Sequence, residues 1–169
     1  MQNLLKKIKD LYYYSWLSVF VQWFANIFFV SPYYHIFKKT TIEHIGKPLD
    51  PKQNYIFVSN HRSYNDPPLV GHSVRYPIAF IAKKELFVNP VLRLFMTLTS
   101  TISVDRGNAE SQTFKAAKKA LTSFGVFKAW GIGVFLEGTR SVNPAMLGKP
   151  NKGPIFLARL CKVPLVPLA

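Results

Sequence analysis

One histidine in this chain of 169 residues lies in a polar run whose composition suits proton transfer. The run is NHRSYND at residues 60–66, and Asp66 follows His61 by five residues. If the intervening loop turns into a helix, the carboxylate can hold one imidazole nitrogen while the other takes a proton from a hydroxyl. The same spacing is compatible with a structural role, in which His61 ends a strand and Asp66 caps a helix. Spacing alone leaves both readings open.

Two further polar clusters contain arginine. VDRG spans residues 104–107, and FLEGTRS spans residues 135–141. Arginine binds phosphate through paired hydrogen bonds, and threonine and glycine add a hydroxyl and backbone N–H groups. Either cluster taken alone could equally form a surface salt bridge.

All three clusters follow predicted strands, and strands alternate with helices along the chain. We therefore expect an α/β fold with a mixed central sheet flanked by helices. In such sheets ligands bind beyond the carboxyl ends of the strands, so the three clusters are expected to converge on one site. The pattern predicts strands at 40–45, 55–59, 78–82, 102–104, 132–136 and 163–168. It also predicts one helix that begins at residue 65 and three more at 90–98, 111–123 and 154–160.

The N-terminal region differs from the rest of the chain. Residues 11–32 contain no charged side chain and are rich in tyrosine, tryptophan and phenylalanine, as expected of a helix that spans a bilayer or lies at its surface. A cleaved signal peptide and a soluble core helix are less favoured alternatives. We expect a membrane-associated helical segment at 1–39 and a second domain at 40–169.

Composition narrows the possible partners. The formal net charge is +14, which indicates an anionic partner such as nucleic acid, a phospholipid surface or a phosphorylated substrate. The single cysteine, Cys161, excludes a disulfide framework and a cysteine-based zinc site. The remaining histidines have no ligand-like spacing, so we expect no metal site.

Four sequence blocks resemble, in order and spacing, those of the 1-acyl-sn-glycerol-3-phosphate acyltransferases. They are NHRSYND, VDRG, FLEGTRS and VPLVP, and the resemblance runs from Tyr55 to Ala169. Leu136 stands where the family usually has proline. The chain also stops at Ala169, where family members normally continue, so the domain is expected to be truncated at its C-terminus.

The resemblance implies a role for each matching residue. His61 would be the general base, and Asp66 would orient it. The acceptor's phosphate would be bound by two arginines and the residues next to one of them, with two lysines and two polar residues in support. The implied phosphate site is Arg106, Glu137, Gly138, Thr139 and Arg140, and the supporting residues are Asn60, Ser63, Lys83 and Lys84.

The resemblance also implies an activity. A fatty acyl group would pass from acyl-CoA or acyl carrier protein to the sn-2 hydroxyl of lysophosphatidic acid, giving phosphatidic acid for phospholipid biosynthesis, with no cofactor. The partners would be this acceptor, the acyl donor and a phospholipid surface, at the cytoplasmic face of the cell membrane. Alternatives are a family member with another lipid acceptor and an inactive, truncated lipid-binding form. A nucleic-acid-binding protein is disfavoured by the uncharged N-terminal segment and the four blocks.

Overall fold

The computed structural model describes residues 16–104, 109–122, 130–140 and 148–169. Strands and helices alternate from residue 55 onward, as the sequence predicts. The strands are β1 (Tyr55–Ser59), β2 (Ile78–Lys83), β3 (Ile102–Val104), β4 (Gly131–Phe135) and β5 (Leu165–Leu168). The helices are α1 (Trp16–Ala25), α2 (Asp66–Val74), α3 (Pro90–Leu98), α4 (Ala109–Thr122) and α5 (Gly153–Cys161), with π-helical turns at Asn26–Val30 and Tyr33–Phe37 and a 3₁₀ turn at Lys84–Phe87.

The strands form one sheet in the order β3-β2-β4-β1-β5, and every pairing among the described residues is parallel. The expectation of a mixed sheet is therefore wrong. Parallel strands need a crossover connection, and each successive pair of strands is separated by at least one helix, which supplies it. Because all strands point the same way, their carboxyl ends meet at one edge. Ser59 pairs with Phe135 there, and Lys83 pairs with Val104.

Both faces of the sheet are covered, which explains the continuous apolar run YIFVS in β1. Ile56 and Val58 pack in a cluster with residues of α4 and α5, whereas Tyr55 and Phe57 pack with Val70 of α2 on the other face. A strand buried on both faces has no polar side to present, so alternation disappears from its sequence.

The strand predicted at 40–45 is not formed. Lys39 has a left-handed backbone with φ of 49°, and residues 40–45 carry no strand assignment and no ladder pairing. Alternating apolar residues favour a strand, but a strand also needs a neighbour to accept its hydrogen bonds. The described sheet ends with β3 on one side and β5 on the other.

The N-terminal helical segment packs against the α/β sheet layer through polar contacts. Gln22 donates to the Thr99 carbonyl at 3.0 Å and accepts from the Ile78 backbone N–H at 3.0 Å. Ser18 and Ser100 share a buried hydrogen bond of 2.7 Å. Within the described ranges, no helix combines the length and the apolar character that crossing a bilayer requires. The division at residue 39 and the membrane association stay predictions.

Candidate active site

His61 and Asp66 lie side by side where β1 ends and α2 begins. His61 Nδ1 is 2.9 Å from Asp66 Oδ2. The same oxygen accepts the backbone N–H groups of Arg62 at 2.6 Å and Ser63 at 2.7 Å. Asp66 therefore closes the loop and holds the imidazole at once. It does not cap α2, because the N-cap residue is Asn65 and no side chain makes a capping bond there. The role in proton transfer stays a prediction.

These contacts indicate which imidazole nitrogen is free to react. An oxygen that already accepts two backbone N–H groups acts as an acceptor toward His61 as well, so Nδ1 carries the proton and donates it. Nε2 then presents a lone pair, and no hydrogen bond reaches it from the described part of the chain. A neutral imidazole held in this tautomer is suited to remove a proton from a hydroxyl.

The plane of the imidazole is set by aromatic stacking. The centroids of the His61 and Phe135 rings are 4.1 Å apart, and the two ring planes differ by 17°. Phe135 is stacked in turn on Phe80, with 6.2 Å between the ring centroids. Gly133 of β4 makes room for this arrangement, because a Cβ there would come within 2.5 Å of the Phe80 ring. Phe135 opens the third sequence block, but the sequence assigned it no role and its contact with His61 was not predicted.

Glu137 ties the end of β4 to the histidine loop. Its Oε1 accepts the backbone N–H of His61 at 3.4 Å, while the Leu136 N–H donates to the Ser59 carbonyl at 3.0 Å. A Cβ on Gly148 would lie 2.7 Å from Glu137 Oε2, so glycine at this position leaves room for the carboxylate. The contact is with the backbone of His61, which suits a residue that fixes the loop.

Arg140 lies against the same loop. Its guanidinium carbon is 3.8 Å from the centroid of the Tyr64 ring, a distance typical of a cation–π contact. Tyr64 lies between His61 and Asp66 in the chain, so the stacking brings the arginine of the third block to the first block. The sequence gives Tyr64 no distinguishing signal, and its role was not predicted.

The other expected site residues lie at the same sheet edge or outside the described residues. Lys83 ends β2, Lys84 opens the 3₁₀ turn, and both are exposed. Gly138 has φ of 64° in the turn after β4, which suits glycine, and Thr139 next to it is exposed. Asn60 accepts from Ser59 Oγ at 3.3 Å, and Ser63 Oγ accepts from the Asn65 N–H at 3.2 Å. Arg106 falls in 105–108, outside the described residues.

The N-terminal segment reaches this loop through Tyr34. Its hydroxyl donates to the Asn65 carbonyl at 2.6 Å, and its ring is stacked on His72 of α2 at 6.1 Å. Burial raises the pKa of the Tyr34 hydroxyl, with smaller contributions from Tyr33 and Asp66, so the hydroxyl remains a donor. Tyr34 is a second loop-fixing residue that the sequence did not reveal.

In the part of the chain that the structure describes, no three histidine, cysteine or acidic side chains gather in a way that would hold a metal ion. The groups gathered here are an imidazole–carboxylate pair and a stacked guanidinium. Groups of these types are suited to proton transfer beside a bound anion.

Comparison with known proteins identifies the relatives of this chain. Residues 37–169 match the family model described as Acyltransferase. The chain is 31% identical over 140 residues to the 1-acyl-sn-glycerol-3-phosphate acyltransferase of Saccharomyces cerevisiae, covering 80% of this chain and 46% of that protein. It is 36% identical over 126 residues to the alpha enzyme of that name from Ovis aries, covering 70% of this chain and 40% of that protein.

A bacterial relative and a solved structure extend the comparison. The Bacillus subtilis 1-acyl-sn-glycerol-3-phosphate acyltransferase is 29% identical over 122 residues, covering 72% of this chain and 57% of that protein. The chain thus spans about half the length of the curated relatives it matches. The crystal structure of the 1-acyl-sn-glycerophosphate acyltransferase PlsC from Thermotoga maritima matches with a TM-score of 0.59 at 20% identity, over 99% of this chain and 74% of that chain. That likeness is one of fold.

Proposed function

Because the chain belongs to the acyltransferase family, we propose that it transfers a fatty acyl group from a thioester donor to the sn-2 hydroxyl of lysophosphatidic acid, giving phosphatidic acid. The single observation that carries the proposal is the contact between His61 Nδ1 and Asp66 Oδ2, at 2.9 Å, which leaves Nε2 as a base at the carboxyl edge of the sheet. The donor is acyl-CoA or acyl carrier protein, and no cofactor takes part.

The reaction proceeds by direct attack of the acceptor hydroxyl on the thioester carbonyl. His61 Nε2 takes the hydroxyl proton as the new C–O bond forms, and Asp66 stabilises the resulting imidazolium. When the C–S bond breaks, the imidazolium returns the proton to the leaving thiolate. General-base assistance of this kind contributes about 10²–10⁴-fold to the rate.

Recognition of the acceptor rests on its phosphate. Arg140 is placed beside the histidine loop and would bind the phosphate, with Arg106 as the second arginine of the site. Thr139 lies in the same turn and would add a hydroxyl, while the Gly138 N–H donates to the Phe135 carbonyl at 3.0 Å and so helps to close that turn. Holding the phosphate orients the hydroxyl toward His61, so that binding energy supplies geometry. Glu137 serves here by fixing the backbone of His61, since a carboxylate would repel the phosphate.

A membrane surface would present both the acceptor and the product. The N-terminal segment exposes a face of large apolar side chains. Trp23 and Phe28 belong to it, and each is 58% exposed to solvent. Helix α3, against which α1 packs, exposes Val91 at 75% and Leu94 at 61%. Exposed apolar patches of this kind mark lipid or protein contacts. We propose that this combined face lies in the cytoplasmic leaflet, helped by about 1 kcal/mol per lysine or arginine near anionic lipid.

Vesicle flotation tests the membrane proposal. Trp23→Ser with Phe28→Ser should reduce the fraction bound to vesicles of phosphatidylglycerol and phosphatidylcholine. Phe156→Ser removes an aromatic residue of similar exposure (60%) from α5 and serves as the matched control. Equal loss of binding in both variants would contradict the assignment of this face.

An acyl-transfer assay tests the proposed activity. Purified protein is given lysophosphatidic acid with acyl-CoA or with acyl-acyl carrier protein, and phosphatidic acid is measured. Parallel reactions with monoacylglycerol, which lacks the phosphate, and with lysophosphatidylcholine test the acceptor. Product above background with lysophosphatidic acid alone supports the proposal. Preferential transfer to another of these acceptors would reassign the substrate. Absence of transfer to all three acceptors would refute the proposed activity.

A further inference from the structure

We propose that Tyr64 is a positioning residue that holds the Arg140 guanidinium flat against its ring and so aims the guanidinium edge at the acceptor's phosphate. The inference rests on the proposed function of the site. It concerns a residue for which neither the four sequence blocks nor their spacing suggested a role.

The stacking geometry is the main observation. The guanidinium carbon lies 3.8 Å from the ring centroid, while Tyr64 is 68% exposed and Arg140 is also exposed. An exposed arginine ordinarily samples many side-chain conformations, and binding a ligand must then restrict them. A ring that already restricts Arg140 removes part of that cost before the acceptor arrives.

At 3.8 Å from the ring centroid the guanidinium has room to lie parallel to the ring, an arrangement that uses its face and leaves its edge available. The N–H groups of arginine lie in the plane of the guanidinium, where they match the paired oxygens of a phosphate. Throughout the described residues, Arg140 has no hydrogen bond or ion pair to a carboxylate. Among those residues, the edge is not committed to a carboxylate partner.

The backbone on both sides of Tyr64 is held, which sets where its side chain starts. The Ser63 N–H donates to Asp66 at 2.7 Å, and the Asn65 carbonyl accepts from the Tyr34 hydroxyl at 2.6 Å. The same loop carries His61. Tyr64 thus places the phosphate-binding group at a set position relative to the base, which is the geometry that the reaction needs.

The test compares Tyr64→Leu with Tyr64→Phe. Tyr64→Leu should raise KM for lysophosphatidic acid about twofold to fivefold, the factor corresponding to a cation–π contact at an exposed site. KM for the acyl donor should not change. Tyr64→Phe keeps the ring and should restore the KM of the wild type. An unchanged KM for the acceptor in Tyr64→Leu would overturn the inference, and so would an equal rise in Tyr64→Phe.

A double-mutant cycle shows whether Tyr64 acts through Arg140. In an Arg140→Ala background, Tyr64→Leu should have no further effect on acceptor binding, measured by calorimetry with a short-chain lysophosphatidic acid. A full additional loss would show an independent role and refute the inference. Absence of acyl transfer by the wild type would refute the proposed function. Calorimetry does not depend on turnover, so the cycle would still show whether Tyr64 acts through Arg140. Melting temperatures of all variants separate loss of folding from loss of binding.

Discussion

Replacing Asp66 by asparagine separates the two roles that the structure gives this residue. The Oδ2 atom accepts from the Arg62 and Ser63 N–H groups and from His61 Nδ1. The amide oxygen of asparagine can still accept from the loop, but it carries no negative charge. We therefore expect the loop to survive largely intact and the imidazolium formed during the reaction to lose its stabilising partner.

The size of the effect follows from the geometry. Two unit charges 4 Å apart near a protein surface attract by about 4 kcal/mol. The His61 and Asp66 side chains are 18% and 20% exposed, and water screens part of that attraction. Taking about 2–3 kcal/mol as the lost stabilisation, and about 1.4 kcal/mol per factor of ten in rate, kcat should fall about 30-fold to 140-fold. KM for either substrate should change little.

The assay is steady-state acyl transfer normalised to folded protein, with the melting temperature measured beside it. Asp50→Asn is the matched control, because Asp50 Oδ1 also accepts a backbone N–H, that of Lys52 at 2.8 Å, without a histidine nearby in that turn. The control should retain its kcat. If Asp66→Asn kept its kcat within threefold of the wild type, Asp66 would be a loop cap only and the reasoning would be refuted.

Three further predictions concern the supports of the site and of the N-terminal segment. Gly148→Ala would place a Cβ 2.7 Å from Glu137 Oε2 and displace the carboxylate that holds the loop; kcat should fall severalfold, and an unchanged kcat would show that Glu137 is dispensable. Tyr34→Phe removes one of the two donors to the Asn65 carbonyl and leaves the Leu69 N–H at 3.1 Å. Unfolding in denaturant should therefore show a loss of about 1 kcal/mol, whereas equal stability would contradict the contribution assigned to the Tyr34 bond. Burial lowers the pKa of His72 below its ordinary 6.5, and the charges of His35 and Arg75 add smaller contributions. The unfolded chain therefore binds the proton more readily than the folded one, so the free energy of unfolding should fall as the pH drops below about 6.5. His72→Gln should flatten this dependence in melts at pH 7.5 and 5.5, and an unchanged slope would refute it.

Elements with strong local signals were predicted within one or two residues. The helix predicted at 90–98 is α3, since the Asn89 side chain caps it by accepting from the Val91 N–H at 2.9 Å and proline follows directly. The short strand predicted at 102–104 is β3. In both cases the residues that determine where the element begins and ends are its neighbours in the sequence.

The wrong predictions concern features that depend on distant residues. Whether 40–45 becomes a strand depends on a free sheet edge beside it, and no local pattern reports that. The relative direction of the strands depends on how they are ordered in the sheet, and that order joins strands that are distant in sequence. The glycines of β4 show the same limit, because Gly131 and Gly133 leave space for the rings of Phe57 and Phe80, which come from neighbouring strands.

The part of the candidate site that could be predicted is the part that depends on the order of residues along the chain. The spacing of His61 and Asp66, and the parallel ends of β1 and β4, bring together residues of the first and third blocks. The contacts of Phe135, Tyr64 and Tyr34 were not predictable, because each joins side chains from separate parts of the fold. The position of Arg106 stays a prediction.

A single-turnover measurement tests the central claim, that His61 is the base in acyl transfer, most directly. Enzyme in excess over acyl-CoA is mixed with saturating lysophosphatidic acid, and the rate of phosphatidic acid formation is compared between the wild type, His61→Gln and the control His44→Gln. We predict a rate at least about 100-fold lower for His61→Gln, with acceptor affinity retained, and an unchanged rate for the control. A His61→Gln rate within threefold of the wild type would contradict the account.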